Sequence, residues 1–296
     1  MEREIEGIIV AMVTPFDGRE RIDKAGLRKI IGYLISNGVY GILPMGSQGE
    51  FYALTKRERT ELIDIAIEEV NGRVLVMPNT GCITTKETIE LTRRAQQAGV
   101  DAVSVITPFF ISPSQEELYQ HYGAICKSVE IPVLAYNNPG RTGGVQLSPS
   151  TVSRLARNYP NFAGIKDNSG NLSLVAEMIR TTPPGFKVIM GRDTLIFGGL
   201  MYGTAGAISA TANVAPKLVT DIFKAYKAGD YDKARECQLK LAPLRSAFEL
   251  GTFPVVVKEA LNIMGLKAGN CRKPVLPLSE ESRKKLYKIL SDMDIL

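Results

Sequence analysis

Short apolar, β-branched runs recur eight times along the chain, each followed by a turn and a longer stretch with helical spacing, the pattern of repeated βα units. The runs cover residues 8–14, 41–45, 74–78, 102–107, 133–137, 162–166, 187–190 and 206–209. Between them lie amphipathic stretches such as 23–37, 56–70, 85–98 and 115–129, several opened by a Ser, Thr or Asp cap. Strands joined through helical crossovers run parallel. Eight of them could lie in an open, doubly wound sheet, but the G-x-G-x-x-G fingerprint of such sheets is missing. The expected architecture is therefore α/β, a (β/α)8 TIM barrel. Residues 215–228 read as its last helix, and three further helical patterns, 232–250, 253–264 and 280–290, read as a C-terminal helical extension. The expected division is a catalytic barrel over 1–228 and the extension over 229–296.

Composition removes whole classes of chemistry. The 36 Lys and Arg against 31 Asp and Glu give a net charge of +5, but the basic residues are scattered and form no stripe suited to nucleic acid. The one histidine, His121, sits in a helical stretch with no second histidine to share a metal. No G-x-S-x-G elbow is present to hold the nucleophile of a Ser-His-Asp triad. Cys82, Cys126, Cys237 and Cys271 lie far apart without a C-x-x-C pair, and are expected to be buried thiols, not disulfides or zinc ligands. No apolar run reaches the length of about 18 residues that a membrane helix needs. Met-Glu-Arg-Glu-Ile-Glu at the start lacks the pattern of a secretion signal, so a soluble, cytoplasmic protein is expected.

In such a barrel the chemistry belongs where each strand stops. Lys166 ends the run Phe162-Ala-Gly-Ile-Lys and would point into a narrow, largely apolar mouth, where desolvation favours the free amine, a nucleophile toward a carbonyl. An ion pair with Asp193 is the structural alternative. Lys187 opens its strand and faces the opposite end, while Lys258 belongs to a helix and is expected to be solvated or snorkelling. Gly46-Ser-Gln-Gly-Glu50 could bring backbone N–H groups and the Ser47 hydroxyl around a small carboxylate, or be a plain βα turn. Tyr136 could carry a proton beside an amine or simply be a core aromatic. Arg141, in a Gly- and Pro-rich loop, could grip a carboxylate with both arms or stay in solvent.

These residues occur together and in order. Val13-Thr-Pro-Phe16, Gly46-Ser-Gln-Gly-Glu50, Pro113-Ser-Gln-Glu116, Tyr136-Asn-Asn-Pro-Gly-Arg-Thr-Gly143, Gly164-Ile-Lys-Asp167 and Gly206-Ala-Ile-Ser-Ala-Thr-Ala-Asn213 span nearly the whole chain. In them the sequence resembles the dihydrodipicolinate synthase/N-acetylneuraminate lyase family of pyruvate-dependent class I aldolases. The resemblance implies that Lys166 forms a Schiff base with pyruvate and that Ser47 and its neighbouring N–H groups bind the pyruvate carboxylate. It implies proton transfer by Tyr136, a backbone contact from Ile208, and no cofactor or metal. Gln48, Arg141, Gly191 and Asp193 complete the expected substrate-binding set, and a homodimer or homotetramer acting on small molecules is implied.

Arg141 is similar to the synthase branch, in which an arginine at this place binds the carboxylate of aspartate semialdehyde. Ser47 stands where familiar synthases carry threonine, keeping the hydroxyl. Two positions depart further. Gln48 replaces a usual threonine, and Phe110 takes the place of a tyrosine that reaches across a dimer interface to complete a proton relay. They keep open a 2-keto-3-deoxy sugar acid or 4-hydroxy-2-oxoglutarate aldolase, and a catalytically silent keto-acid binder. Lys56 and Arg59 stand where lysine-inhibited synthases carry histidines, and Ile83 replaces a polar contact, so free lysine is not expected to inhibit strongly.

Overall fold

A computed structural model describes residues 3–296; Met1 and Glu2, with which the expected barrel begins, lie outside the described residues. The eight runs form parallel strands β1 (Gly7–Ala11), β2 (Gly41–Leu43), β3 (Leu75–Val76), β4 (Val103–Ile106), β5 (Val133–Asn137), β6 (Phe162–Asp167), β7 (Lys187–Met190) and β8 (Gly206–Ser209). They neighbour one another in the order β3-β2-β1-β8-β7-β6-β5-β4. The circle closes just past β3. There Asn79 bridges Ser104 in parallel, with Ser104 N donating to Pro78 O at 3.0 Å and Thr80 N to Ser104 O at 2.9 Å. β2 and β3 are shorter than their apolar runs, which include Pro44 and Pro78, residues with no N–H to continue a ladder.

Helices α1 (Lys24–Ser36), α2 (Lys56–Val70), α3 (Thr85–Ala98), α4 (Gln115–Cys126), α5 (Pro149–Asn158), α6 (Leu172–Thr181), α7 (Ile196–Tyr202) and α8 (Pro216–Lys227) follow the strands in turn. Side-chain caps start most of them. Asp23, Thr84, Ser148 and Asn171 each accept an N–H of the first turn, and Thr55 and Ser114 form full capping boxes with Glu58 and Glu117. Beyond α8 come α9 (Tyr231–Ser246), α10 (Val255–Ile263) and α11 (Glu280–Asp292). The pattern expected over 232–250 ends its α-helix at Ser246 and tightens into a 3₁₀ turn, Ala247–Leu250. Among the described residues no helix is long and apolar enough to cross a membrane.

Alternation along each strand divides the core in two. Ile9, Ala11, Leu43, Leu75, Leu134, Ile189 and Ile208 fill the barrel, whereas Ile8, Val10, Ile42, Val133 and Val188 meet the surrounding helices. The barrel interior is thereby filled with apolar side chains.

Candidate active site

A cavity of about 320 Å³ opens at the C-terminal ends of the strands. Ser47, Gln48, Tyr136, Arg141, Lys166, Gly191, Asp193 and Ile208 all line it. Tyr136 on β5 and Lys166 on β6 are cross-strand partners, which puts the Lys166 Nζ 4.1 Å from the centre of the Tyr136 ring. Lys166 is only 5% exposed and has no carboxylate within ion-pair distance among the described residues. The alternative pairing with Asp193 is not formed. The Asp193 oxygens instead accept the amides of Ala210 (3.2 Å) and Thr211 (3.1 Å), bracing the turn after β8. Burial pushes the Asp193 carboxyl up, while Ser209, those amides and Arg245 work in the opposite direction.

Gly191 makes room for the lysine. A Cβ there would stand 2.7 Å from the Asp167 carbonyl and 3.0 Å from the Lys166 Cε, so any side chain would displace the amine-bearing arm. Behind the site Asn137 and Asp167 clamp β5 to β6, Asn137 Nδ2 donating to Asp167 Oδ1 at 2.6 Å. Asp167 also accepts from the Ser169 hydroxyl at 2.6 Å, and its carboxyl is pushed up by burial.

The loop after β2 carries Ser47 between two left-handed residues, Met45 (φ 57°) and Glu50 (φ 54°). That strained geometry is held from outside the barrel. Glu50 receives the Lys258 ammonium at 2.7 Å and the Arg272 amide at 2.9 Å, and Lys258 also donates to the Asn270 carbonyl at 2.9 Å. Lys258 is 1% exposed, which corrects the expectation of a solvated side chain. A helix pattern cannot reveal a carboxylate 208 residues away.

Two asparagines were not singled out in the sequence. Asn138 Nδ2 donates to the Tyr136 hydroxyl at 2.7 Å, and Asn168 Nδ2 donates to Asn138 Oδ1 at 3.2 Å. Ser47 Oγ lies 3.3 Å from the same Tyr136 oxygen. Both asparagines follow strand ends, where such residues read as turn formers. Their place beside strand-end Tyr136 and Lys166 was the available signal. Gln48 is 3% exposed, faces the cavity, and has a partner for neither amide atom among the described residues. Arg141 stacks on Phe253 at 4.3 Å, and Arg192 and Arg245 complete the rim. With Lys166 these give four basic residues against one acid, Asp193, a field that draws anions.

His121 stays out of the cavity, its Nδ1 bonded to the Thr85 hydroxyl at 2.9 Å and its pKa pulled down by burial to about 4. The four thiols are free; Cys82 is half-buried beside Arg59, and not fully buried as expected. Among the described residues no three His, Cys, Asp or Glu gather as a metal would require.

The Dihydrodipicolinate synthetase family model matches residues 4–293. The chain belongs to that family. The 4-hydroxy-tetrahydrodipicolinate synthase of Methanocaldococcus jannaschii is 40% identical over 291 residues, covering 98% of this chain and 99% of that one. Among solved structures, the dihydrodipicolinate synthase of Acinetobacter baumannii complexed with pyruvate superposes with a TM-score of 0.95 at 38% identity, covering 99% and 100% of the two chains. A prophage protein of the dihydrodipicolinic acid synthase family from E. coli K12, also in complex with pyruvate, gives 0.95 at 35% identity, with 99% of each chain covered. As a member of the dihydrodipicolinate synthetase family the chain is an enzyme, a lyase of the Schiff-base aldolase class.

Proposed function

We propose that this enzyme condenses pyruvate with aspartate semialdehyde as a 4-hydroxy-tetrahydrodipicolinate synthase, with Lys166 as the nucleophile. The observation that carries the reading is the Lys166 amine, buried in the cavity without a carboxylate partner among the described residues and stationed over the Tyr136 ring. An amine so placed attacks the keto carbon, and the iminium that follows is an electron sink from which an enamine forms. Tyr136 and Ser47 move the protons, and the Ser47 loop binds the pyruvate carboxylate. Ile208 and Gly191 border the keto acid. Arg141, over the Phe253 ring, receives the carboxylate of the aldehyde. The excess of basic side chains at the mouth suits two anionic substrates.

One observation favours a second reading, in which the aldehyde is hydroxylated, as in a 2-keto-3-deoxy sugar acid or 4-hydroxy-2-oxoglutarate aldolase. The unpartnered Gln48 amide offers a donor and an acceptor, the complement of a hydroxyl group. A second copy of the chain is expected to cover Phe110, Ile111 and Tyr52, which are 93%, 48% and 52% exposed and adjoin in sequence the paired rings of Phe109 and Phe51. The protein then works as a homodimer or homotetramer.

Borohydride reduction in the presence of pyruvate, followed by intact mass and peptide mapping, tests the reading. An adduct on Lys166 is expected, and competition by aspartate semialdehyde against hydroxylated aldehydes then separates the two substrates. No adduct would leave a silent keto-acid binder.

A further inference from the structure

We propose that Asn138 is a positioning residue for proton transfer, its amide N–H fixing the Tyr136 phenol so that the proton can leave only toward Ser47 and the substrate, within one chain. The inference rests on the reading of Lys166 and Tyr136 given above. A phenol oxygen carries one proton to donate and accepts chiefly one partner in the ring plane. At Tyr136 the accepting position is taken by Asn138 Nδ2 at 2.7 Å, a group that only donates. The phenol proton is left facing Ser47 Oγ at 3.3 Å. Asn138 is 3% exposed, and its other amide atom is engaged too, Oδ1 accepting from Asn168 Nδ2 at 3.2 Å. Asn168 is anchored in turn by its backbone N–H to the Asn137 carbonyl at 2.9 Å. The chain Asn168–Asn138–Tyr136–Ser47 therefore has one polarity from end to end.

This arrangement answers the absence of a hydroxyl at Phe110. The polar group on the phenol comes from two residues further along the same strand end, so the relay needs no hydroxyl from another subunit. In the dehydration step the Lys166 nitrogen lone pair forms the C=N bond, the carbinolamine C–O bond breaks, and the Tyr136 proton leaves with that oxygen as water. An iminium and a phenolate result, with net charge unchanged. The Asn138 N–H stays on the phenolate, where the bond is stronger, and the Ser47 hydroxyl turns to donate as well. The phenolate then takes a proton from C3 of the iminium; the C–H electrons become the enamine C=C bond, nitrogen regains its lone pair, and the phenol is restored.

Exchange of the pyruvate methyl protons for deuterium reads this second step by NMR without any aldehyde, so the identity of the second substrate does not enter. Asn138→Leu keeps the shape and removes the donor; exchange should fall about 10²-fold while the pyruvate KM stays within about threefold. Asn168→Asp offers only an acceptor, which turns the Asn138 amide over and presents its oxygen to the phenol. Exchange should fall about tenfold with an unchanged melting temperature, an effect that loss of packing does not produce. Wild-type exchange rates in both variants, or a fall in Asn168→Asp matched by an equal rise in KM, would overturn the proposal. If the wild-type protein neither exchanges nor forms an adduct, the pyruvate reading itself fails; exchange that the variants keep defeats only the role of Asn138.

Discussion

Lys166 and Lys258 are two lysines in nearly the same physical setting. They are 5% and 1% exposed, and each holds its Nζ over an aromatic ring, Tyr136 at 4.1 Å and Phe16 at 4.2 Å. What separates them is a carboxylate. Lys258 has Glu50 at 2.7 Å, whose charge opposes but does not cancel the downward pull of burial on the ammonium, whereas Lys166 has no such partner among the described residues. The Lys258 ammonium is thus engaged by a carboxylate, whereas the Lys166 amine is left to meet a carbonyl in the cavity. The two are also linked. Glu50 ends the loop that carries Ser47, so the charge pair outside the barrel positions the hydroxyl that serves the amine inside it.

The sharpest break of this comparison substitutes each lysine by methionine. Lys166→Met will abolish the borohydride adduct and lower turnover by about 10⁴-fold or more, with no loss in melting temperature, because no buried partner is abandoned. Lys258→Met will do the reverse. It leaves Glu50 buried without its cation, at a cost of about 3–5 kcal/mol in a denaturant titration, while Lys166 of the surviving folded fraction still traps pyruvate. An adduct on Lys258 in the first variant, or unaltered stability in the second, would erase the distinction.

The difference between the lysines was only half legible in the sequence. Lys166 announces itself because strand ends are readable from β-branched runs, and a barrel strand end has one place to point. Strand bounds blurred by two residues where apolar character runs on to Met45 and Pro78 beyond the ends of β2 and β3, since hydrophobicity continues where the ladder stops. Lys258 and Glu50 sit in patterns that are locally complete, a helix and a turn, and nothing in either asks for a partner. Asn138 and Asn168 were hidden for a related reason: asparagine after a strand already has an explanation as a turn former, so its hydrogen bond to Tyr136 emerges only once β5 and β6 lie side by side.

His121 extends the comparison to a buried base that is kept neutral without any catalytic use. Its imidazole is pulled down to about 4 by burial, from the ordinary 6.5. Between those values the unfolded chain takes up a proton that the folded protein refuses. Stability is thus fully present above about pH 6.5 and falls as the pH drops, by about 3 kcal/mol once pH 4 is reached. His121→Gln removes this dependence, and the difference between the two proteins in urea titrations at pH 7 and pH 4.5 isolates it from the carboxylates that titrate in both. A constant difference across that range would mean that the imidazole takes up its proton as readily in the fold as in the unfolded chain.

The smallest effect expected is that of free lysine. Arg59 is a third buried cation, 8% exposed, donating to the Cys82 sulfur at 3.0 Å and the Gly81 carbonyl at 3.1 Å, with no carboxylate partner among the described residues. Like Lys166 it lacks an acid among the described residues, and a guanidinium stays charged in proteins. It therefore faces its own cavity, shared with Lys56, Ile83 and Glu87, as a fixed positive charge. Lys56 adds another, tied to Glu90. An incoming ammonium about 4 Å from either meets a repulsion of about 1–4 kcal/mol, which the one facing carboxylate, Glu87, offsets only in part. Millimolar L-lysine should change the initial rate by less than about twofold. Arg59→His removes the permanent charge and is the variant in which inhibition should first emerge; strong inhibition of the wild-type enzyme would require the guanidinium to swing out of its bed against Phe51, a movement that the Arg59 bonds to Cys82 and Gly81 oppose.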